Sequence, residues 1–217
     1  MRERATAGGP AWSILRPDVV IGDVFGNAMN IVMVIGVYAA ICRATGIPFR
    51  FPSKPGVYDG VLHQVTDTLA RAHASLWAAT EDRATGRTFN DIHKPFRLER
   101  VWRKVGAALG LAVEPPVRLR RVEQMADKGP LWQRISAEHS RVEVADDRLV
   151  VWDFGDGVWG SDFDMIADMG KIRCAGFTLQ VDPVEAILGA LASLSGQRTL
   201  PFLDLAERRA GTGAVPA

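Results

Sequence analysis

Ala11-Trp12-Ser13-Ile14-Leu15-Arg16-Pro17 reads as a short strand closed by its own proline. Pro17 has no N–H to give a sheet ladder, and its ring confines Arg16 to extended backbone. Asp18, Val19 and Val20 continue the chain, and then Asn30 opens a run that is almost wholly apolar from Ile31 to Cys42. With Gly46 and Pro48 as stop signals, residues 30–45 are predicted as a helix apolar on every side and therefore buried. A strand followed by an all-round apolar helix is the opening of an α/β fold. The run is also too short to cross a bilayer.

Beyond it, Phe49-Arg50-Phe51 is predicted extended, and Ser53-Lys54-Pro55-Gly56 has turn chemistry. Residues 57–65 read as an extended stretch, ended where Thr66-Asp67 caps a helix reaching Thr80. Leu69, Ala72 and Leu76 give that helix an inner face at helical spacing. Thr88-Phe89-Asn90 is a short strand candidate. Residues 98–109 form an amphipathic helix ended by Gly110, and Glu114-Pro115-Pro116 marks a bend. A helix over 122–139 and an apolar segment over 148–152 follow. The last helix starts at Asp182, a good N-cap, with Pro183 in its first turn and Glu185 where a capping box wants an acid. No internal repeat is present, so one domain over 11–201 is expected, between a disordered start at 1–10 and a frayed tail at 202–217.

The composition narrows the function classes. The 217 residues are 47% hydrophobic and 24% charged, which suits one sizeable core. A formal charge of +1, from 26 basic and 25 acidic side chains, gives no general pull toward nucleic acid or an anionic membrane. Arg118, Arg120 and Arg121 alternate with apolar neighbours, as one solvated face of an extended segment does. Cys42 and Cys174 lie far apart among apolar residues and read as buried reduced thiols of a cytoplasmic protein. His63, His73, His93 and His139 lack ligand spacing, so no metal site is expected.

One motif mimics a nucleotide loop. Gly155-Asp156-Gly157-Val158-Trp159-Gly160 follows the apolar stretch 149–152 and precedes Asp182 by 22 residues, the outline of a dinucleotide-binding turn. Asp153, Asp156, Asp162 and Asp164 argue against it, because they crowd carboxylates where a pyrophosphate must be attracted. Neither tyrosine makes a Y-x-x-x-K pair: Tyr38 is followed four positions later by Cys42, and Tyr58 by Leu62. No catalytic residue is assigned.

Trp12 to Pro17, with Gly22 five residues on, resembles the strand and loop after the catalytic helix of extended short-chain dehydrogenases/reductases. Asn30, Val37-Tyr38, Cys42-Arg43, Pro48-Phe49, Asp67, Leu69, the run Trp77-Ala78-Ala79-Thr80 and Phe89-Asn90 narrow the likeness. They resemble the progesterone 5β-reductase and iridoid synthase group. Trp102, Ala126-Asp127-Lys128, Trp132, Lys171-Ile172-Arg173 and Gly176-Phe177 continue it in order, over roughly residues 11 to 201. After Asn90, the sequence Asp91-Ile92-His93-Lys94-Pro95 departs from the family's Thr-Asn-Gly type of turn.

The resemblance implies the C-terminal part of a Rossmann-type doubly wound sheet plus a mostly helical substrate-binding lobe. The activity it implies is NADP(H)-dependent reduction of a carbon–carbon double bond next to a carbonyl, on a small hydrophobic carbonyl substrate. Pro17, Asp18, Val19 and Val20 become cofactor contacts, and Asn30, Met33, Tyr38, Phe154 and Trp159 candidate walls of the substrate pocket. The family's glycine-rich loop and catalytic tyrosine and lysine belong upstream of Trp12. The chain is therefore expected to be N-terminally truncated, to hold the cofactor loosely and to be inactive alone. The rival reading is a non-catalytic remnant that binds a small hydrophobic ligand or a partner, self-associating through exposed sheet faces.

Overall fold

The computed structural model describes residues 11–24, 26–27, 29–119, 125, 127–139 and 150–201. The expectations for 1–10, Arg120, Arg121, Ala126, 148–149 and 202–217 lie outside these residues, as does the opening of the predicted helix at 122. The described strands form three parallel pairs. Strand β1 (Ser13–Arg16) pairs with β5 (Arg87–Asn90), Ser13 opposite Arg87 and Arg16 opposite Asn90. Strand β2 (Val19–Ile21) pairs with β4 (Val65–Asp67), and β3 (Phe49–Arg50) with β6 (Val113–Glu114). Parallel partners need crossover connections, and helices supply them.

The first and most buried helix is α1 (Ile31–Thr45). The Asn30 carboxamide oxygen accepts from the Val32 N–H at its start, and Gly46, at φ 70°, closes its end in a left-handed conformation. All residues from 31 to 42 are buried. Against it packs α8 (Pro183–Gly196), and Gly36 leaves room there: a Cβ would lie 3.2 Å from Leu191 Cδ2 of α8 and 2.4 Å from Leu200 Cδ1 just beyond it. Asp182 caps α8 through the N–H groups of Val184 and Glu185, and meets Lys94 at 2.8 Å and Arg100 at 3.0 Å. Burial opposes its ionisation. The Lys94 ammonium, the two helix N–H groups and Arg100 outweigh that and hold the carboxyl down to about 2.

An aromatic knot fills the main core. Trp102, on the amphipathic helix α4 (Leu98–Leu109), stacks on Phe49 at 5.1 Å and meets Phe51 and Trp159 edge-on at 5.0 and 5.1 Å. A second cluster lies on β5, where Phe89 meets Trp77, which also touches Phe177.

Four sequence expectations change. Residues 57–65 are not all extended, because α2 (Pro55–Asp59) occupies their start. Lys54 is extended, as a residue before proline must be, and Pro55 sits where a helix tolerates it, so the turn chemistry opened a helix. Helix α3 (Thr68–Thr80) does not turn Leu69, Ala72 and Leu76 inward: Leu69 and Leu76 are 67% and 65% exposed. Ala70 and Ala74 face in instead, because only small side chains let α3 lie close on β1 and β4. Among the described residues of 122–139 the helix is α5 (Gly129–Glu138), with Pro130 in its first turn rather than in its interior. Cys174, at the end of the short helix α7 (Gly170–Cys174), is exposed, whereas Cys42 is buried.

Candidate functional site

In open α/β sheets ligands gather outside the carboxyl ends of the strands. Here β1 ends at Arg16, and the exposed Pro17 and half-buried Asp18 lead straight into β2. This junction is tied by one hydroxyl. Thr66 Oγ1, fully buried on β4, accepts from the Asp18 N–H at 3.2 Å and donates to the Asp91 carbonyl at 2.5 Å. It thus joins the chain after β1 to the chain after β5. Val19 N–H turns back to Asp18 Oδ1 at 2.7 Å. With both N–H groups spent internally, Pro17 and Asp18 have carbonyl oxygens to offer a ligand.

Beneath the junction lie buried polar groups that are mutually satisfied. Asp91, 2% exposed, takes a hydrogen bond from Arg71 Nη1 at 3.1 Å, and Arg71 Nη2 reaches the Leu15 carbonyl at 3.3 Å. Burial raises the Asp91 carboxyl, and Arg71 counters it in part. His93 Nε2 accepts from the Asp67 N–H at 3.0 Å, which puts the imidazole proton on Nδ1. Gln64 completes the set, donating to the His93 carbonyl at 2.8 Å and accepting from the Ala167 N–H at 2.6 Å. Sequence reading missed this group because its members lie up to 103 positions apart. The one local signal was Asp91 and His93 flanking Ile92 just after a strand.

Burial pushes the pKa of both His93 and His63 below the ordinary 6.5, their carboxylate neighbours notwithstanding. The unfolded chain therefore takes up protons at these residues that the folded chain refuses. Their contribution to stability is complete above pH 6.5 and is lost as pH falls below it. Thermal midpoints measured from pH 7.5 down to pH 5 are expected to fall by several degrees, and His93→Gln should flatten part of that slope, roughly one proton's worth.

The predicted pocket residues are dispersed. Asn30 is spent as a cap and tether, its amide nitrogen donating to the Gly22 and Val24 carbonyls. Met33 is buried in the main core, and the Tyr38 hydroxyl donates to the Arg50 carbonyl at 3.1 Å. Phe154 is half-buried on α6 (Trp152–Val158), packed against the core, and Trp159 follows it, fully buried. Trp159 alone of these lines a narrow apolar crevice, which it shares with Val19 of the predicted cofactor loop. Gly155 and Gly157 sit inside α6 and Gly160 lies just past its end, so the G-x-G-x-x-G stretch closes a helix and is not a turn between strand and helix. Among the described residues no group of His, Cys, Asp or Glu is arranged to hold a metal, and no helix is long and apolar enough to cross a membrane.

No family model matches the chain. Curated relatives do. It is 31% identical over 173 residues to the 3-oxo-Δ4,5-steroid 5β-reductase of Arabidopsis thaliana, covering 76% of this chain and 43% of that protein. To the (S)-8-oxocitronellyl enol synthase ISY2 of Nepeta racemosa it is 31% identical over 154 residues, 69% of this chain and 39% of the other. The CYC2 enzyme of the same name from Camptotheca acuminata is 26% identical over 200 residues, with coverages of 89% and 50%. The chain thus spans half or less of the length of these relatives. Among solved structures, the terminal R domain of the myxalamid PKS-NRPS pathway superposes with a TM-score of 0.54 at 17% identity, over 93% of this chain and 47% of that one. That likeness supports the α/β fold.

Proposed function

Homologous over most of its length to the progesterone 5β-reductase and iridoid synthase group of short-chain dehydrogenases/reductases, this chain is, we propose, the substrate-binding part of an NAD(P)H-dependent reductase of activated carbon–carbon double bonds. The observation that carries the reading is the tied junction at the carboxyl end of β1. Thr66 holds Pro17 and Asp18 at a fixed height above β4, with Asp91 locked beside them. The carboxamide of a nicotinamide has two N–H donors, and the carbonyl groups of Pro17 and Asp18 suit them. Val19 and Val20 would border the ring from beneath. When bound, the cofactor supplies the hydride. The described residues fit its nicotinamide end and contain no glycine turn that would cradle the pyrophosphate. Of the candidate pocket walls Trp159 would face substrate, while Asn30, Met33, Tyr38 and Phe154 would act from the helix cap and core that hold them.

A chimaera tests this reading. This chain, substituted for the matching segment of the Arabidopsis 5β-reductase, is expected to consume NADPH when given a small enone. A folded chimaera that binds NADPH yet reduces no enone would overturn the proposal. Leu69 and Leu76, exposed on α3, and the 40% exposed Ile14 of β1 favour a second reading in which the chain meets a partner or another copy. Light scattering that returns the mass of a monomer at all concentrations would count against it.

A further inference from the structure

Among the described residues, strand β1 is paired on one side only. The Trp12 and Arg16 carbonyls accept from the Gly86 and Asp91 N–H groups at the two ends of β5, so the peptide groups of alternate residues, Ile14 between them, are directed at that partner. Those of Ser13 and Leu15 point the other way. The Leu15 carbonyl bears this out, because it is met by a side chain, Arg71 Nη2 at 3.3 Å. Pro17, next in that series, has no N–H and ends the edge.

Beside this edge lies a groove of about 540 Å³, lined by Ala11, Ser13 and Leu15 on one side and by Arg71, Ser75 and Ala79 of α3 on the other. Ala74 and Trp77 of α3 pack over Phe89 on the β5 side, and Arg71, Ser75 and Ala79, four positions apart, form the neighbouring strip of the helix. The polar side chains of the groove are already engaged. The Ser13 hydroxyl donates to the Ala84 carbonyl at 2.8 Å, the Ser75 hydroxyl to the Arg71 carbonyl at 2.9 Å, and Arg71 is held by Asp91 and Leu15. What the edge offers is backbone: the Ser13 and Leu15 N–H groups, the Ser13 carbonyl, and the second lone pair of the Leu15 carbonyl. The small side chains of Ala11, Ser13, Ser75 and Ala79 leave depth for a bulky one. An extended chain with a large apolar side chain at alternate positions meets both demands.

We propose that this edge receives a strand from the portion of the reductase that lies outside the matched segment in the relatives, laid parallel to β1 as every described pair is, with a bulky apolar side chain in the groove. The inference rests on the reading of this chain as the substrate-binding part of a reductase. Two observations favour that occupant. The match covers only 39% and 43% of the ISY2 and 5β-reductase chains, so the larger part of each lies outside it. And β1 and β5, four residues each, make a two-stranded sheet of a size that is marginal without further strands.

The test co-expresses this chain with the part of the Arabidopsis 5β-reductase outside the match, as a separate tagged polypeptide. The two are expected to purify together. Ala79→Trp, which fills the groove from an exposed position, should weaken association about tenfold or more, whereas Ala72→Trp, equally exposed on α3 but outside the groove, should leave it unchanged. Amide hydrogen exchange adds an alternating signature: in the chain alone Ile14 and Arg16 are protected and Ser13 and Leu15 are not, and in the complex Ser13 and Leu15 slow by about tenfold or more. If the separate half is insoluble, the chimaera gives the same exchange comparison. The proposal is overturned if the halves do not associate, if the two tryptophan variants associate equally, or if Ser13 and Leu15 are already protected in the chain alone, as pairing with a second copy would make them. A complex that forms with this signature yet reduces no enone would leave the docking intact and remove the reductase reading.

Discussion

Arg71→Ala is expected to destabilise the chain by about 2–3 kcal/mol, measured as a lower denaturant midpoint at unchanged slope. The loss is not that of a surface ion pair. Asp91 is 2% exposed and Arg71 is the cation that meets it, at 3.1 Å. Removing one partner of a fully buried pair costs roughly 3–5 kcal/mol, because the remaining charge is stranded. Arg71 is itself 30% exposed, so water entering its place would screen the carboxylate, which sets the lower figure. The alternative is that Arg71 matters through its hydrogen bond to the Leu15 carbonyl. A second substitution separates the two. Adding Asp91→Asn to Arg71→Ala removes the stranded charge and should recover at least about 1 kcal/mol, whereas a role through Leu15 would leave the double variant no better. The Asp91 carboxyl, already raised by burial, should rise further in the single variant, and its titration by carbon NMR gives an independent reading.

This pair also shows where sequence reading stops. Helix ends were legible because their chemistry is local: Asp182 as a cap, Pro183 in a first turn, and Gly46 and Gly110 as stops, which close their helices in left-handed conformations; the cap at Asn30 was not read. The apolar run after Ile31 could only be a buried helix. The family likeness followed from ordered single residues, many of which prove to be core or caps, such as Trp102, Asn30 and Asp67. What failed needed tertiary information. Leu69, Ala72 and Leu76 make a better apolar stripe than Ala70 and Ala74, and the choice between them was made by how near α3 must come to the strands. Arg71 and Asp91 were invisible as a pair, because nothing in a solvated-looking arginine twenty positions upstream predicts that its guanidinium will reach a buried carboxylate. The aspartates around Gly155 argue against a phosphate loop on charge alone, and the helix at Trp152–Val158 adds a geometric argument of its own.

Trp102→Ala should have the largest effect of any single change, about 3–5 kcal/mol, enough to unfold a domain of ordinary stability at moderate temperature. Trp102 is completely buried at the centre of the aromatic knot, stacked on Phe49 with an interplanar angle of 7° and edge-on to Phe51 and Trp159. Alanine would leave a void bounded by three rings, two of them on pinned residues: Phe49 by α1 and β6, and Trp159 by Ser53, whose hydroxyl donates to its carbonyl at 2.7 Å. Such a void cannot close by small shifts. Yet the indole carries a cost as well, since Trp102 Nε1 is buried with no partner among the described residues. Trp102→Phe keeps the stack on Phe49 and removes that orphaned donor. It should therefore cost less than half as much as Trp102→Ala, a ratio that volume alone does not predict.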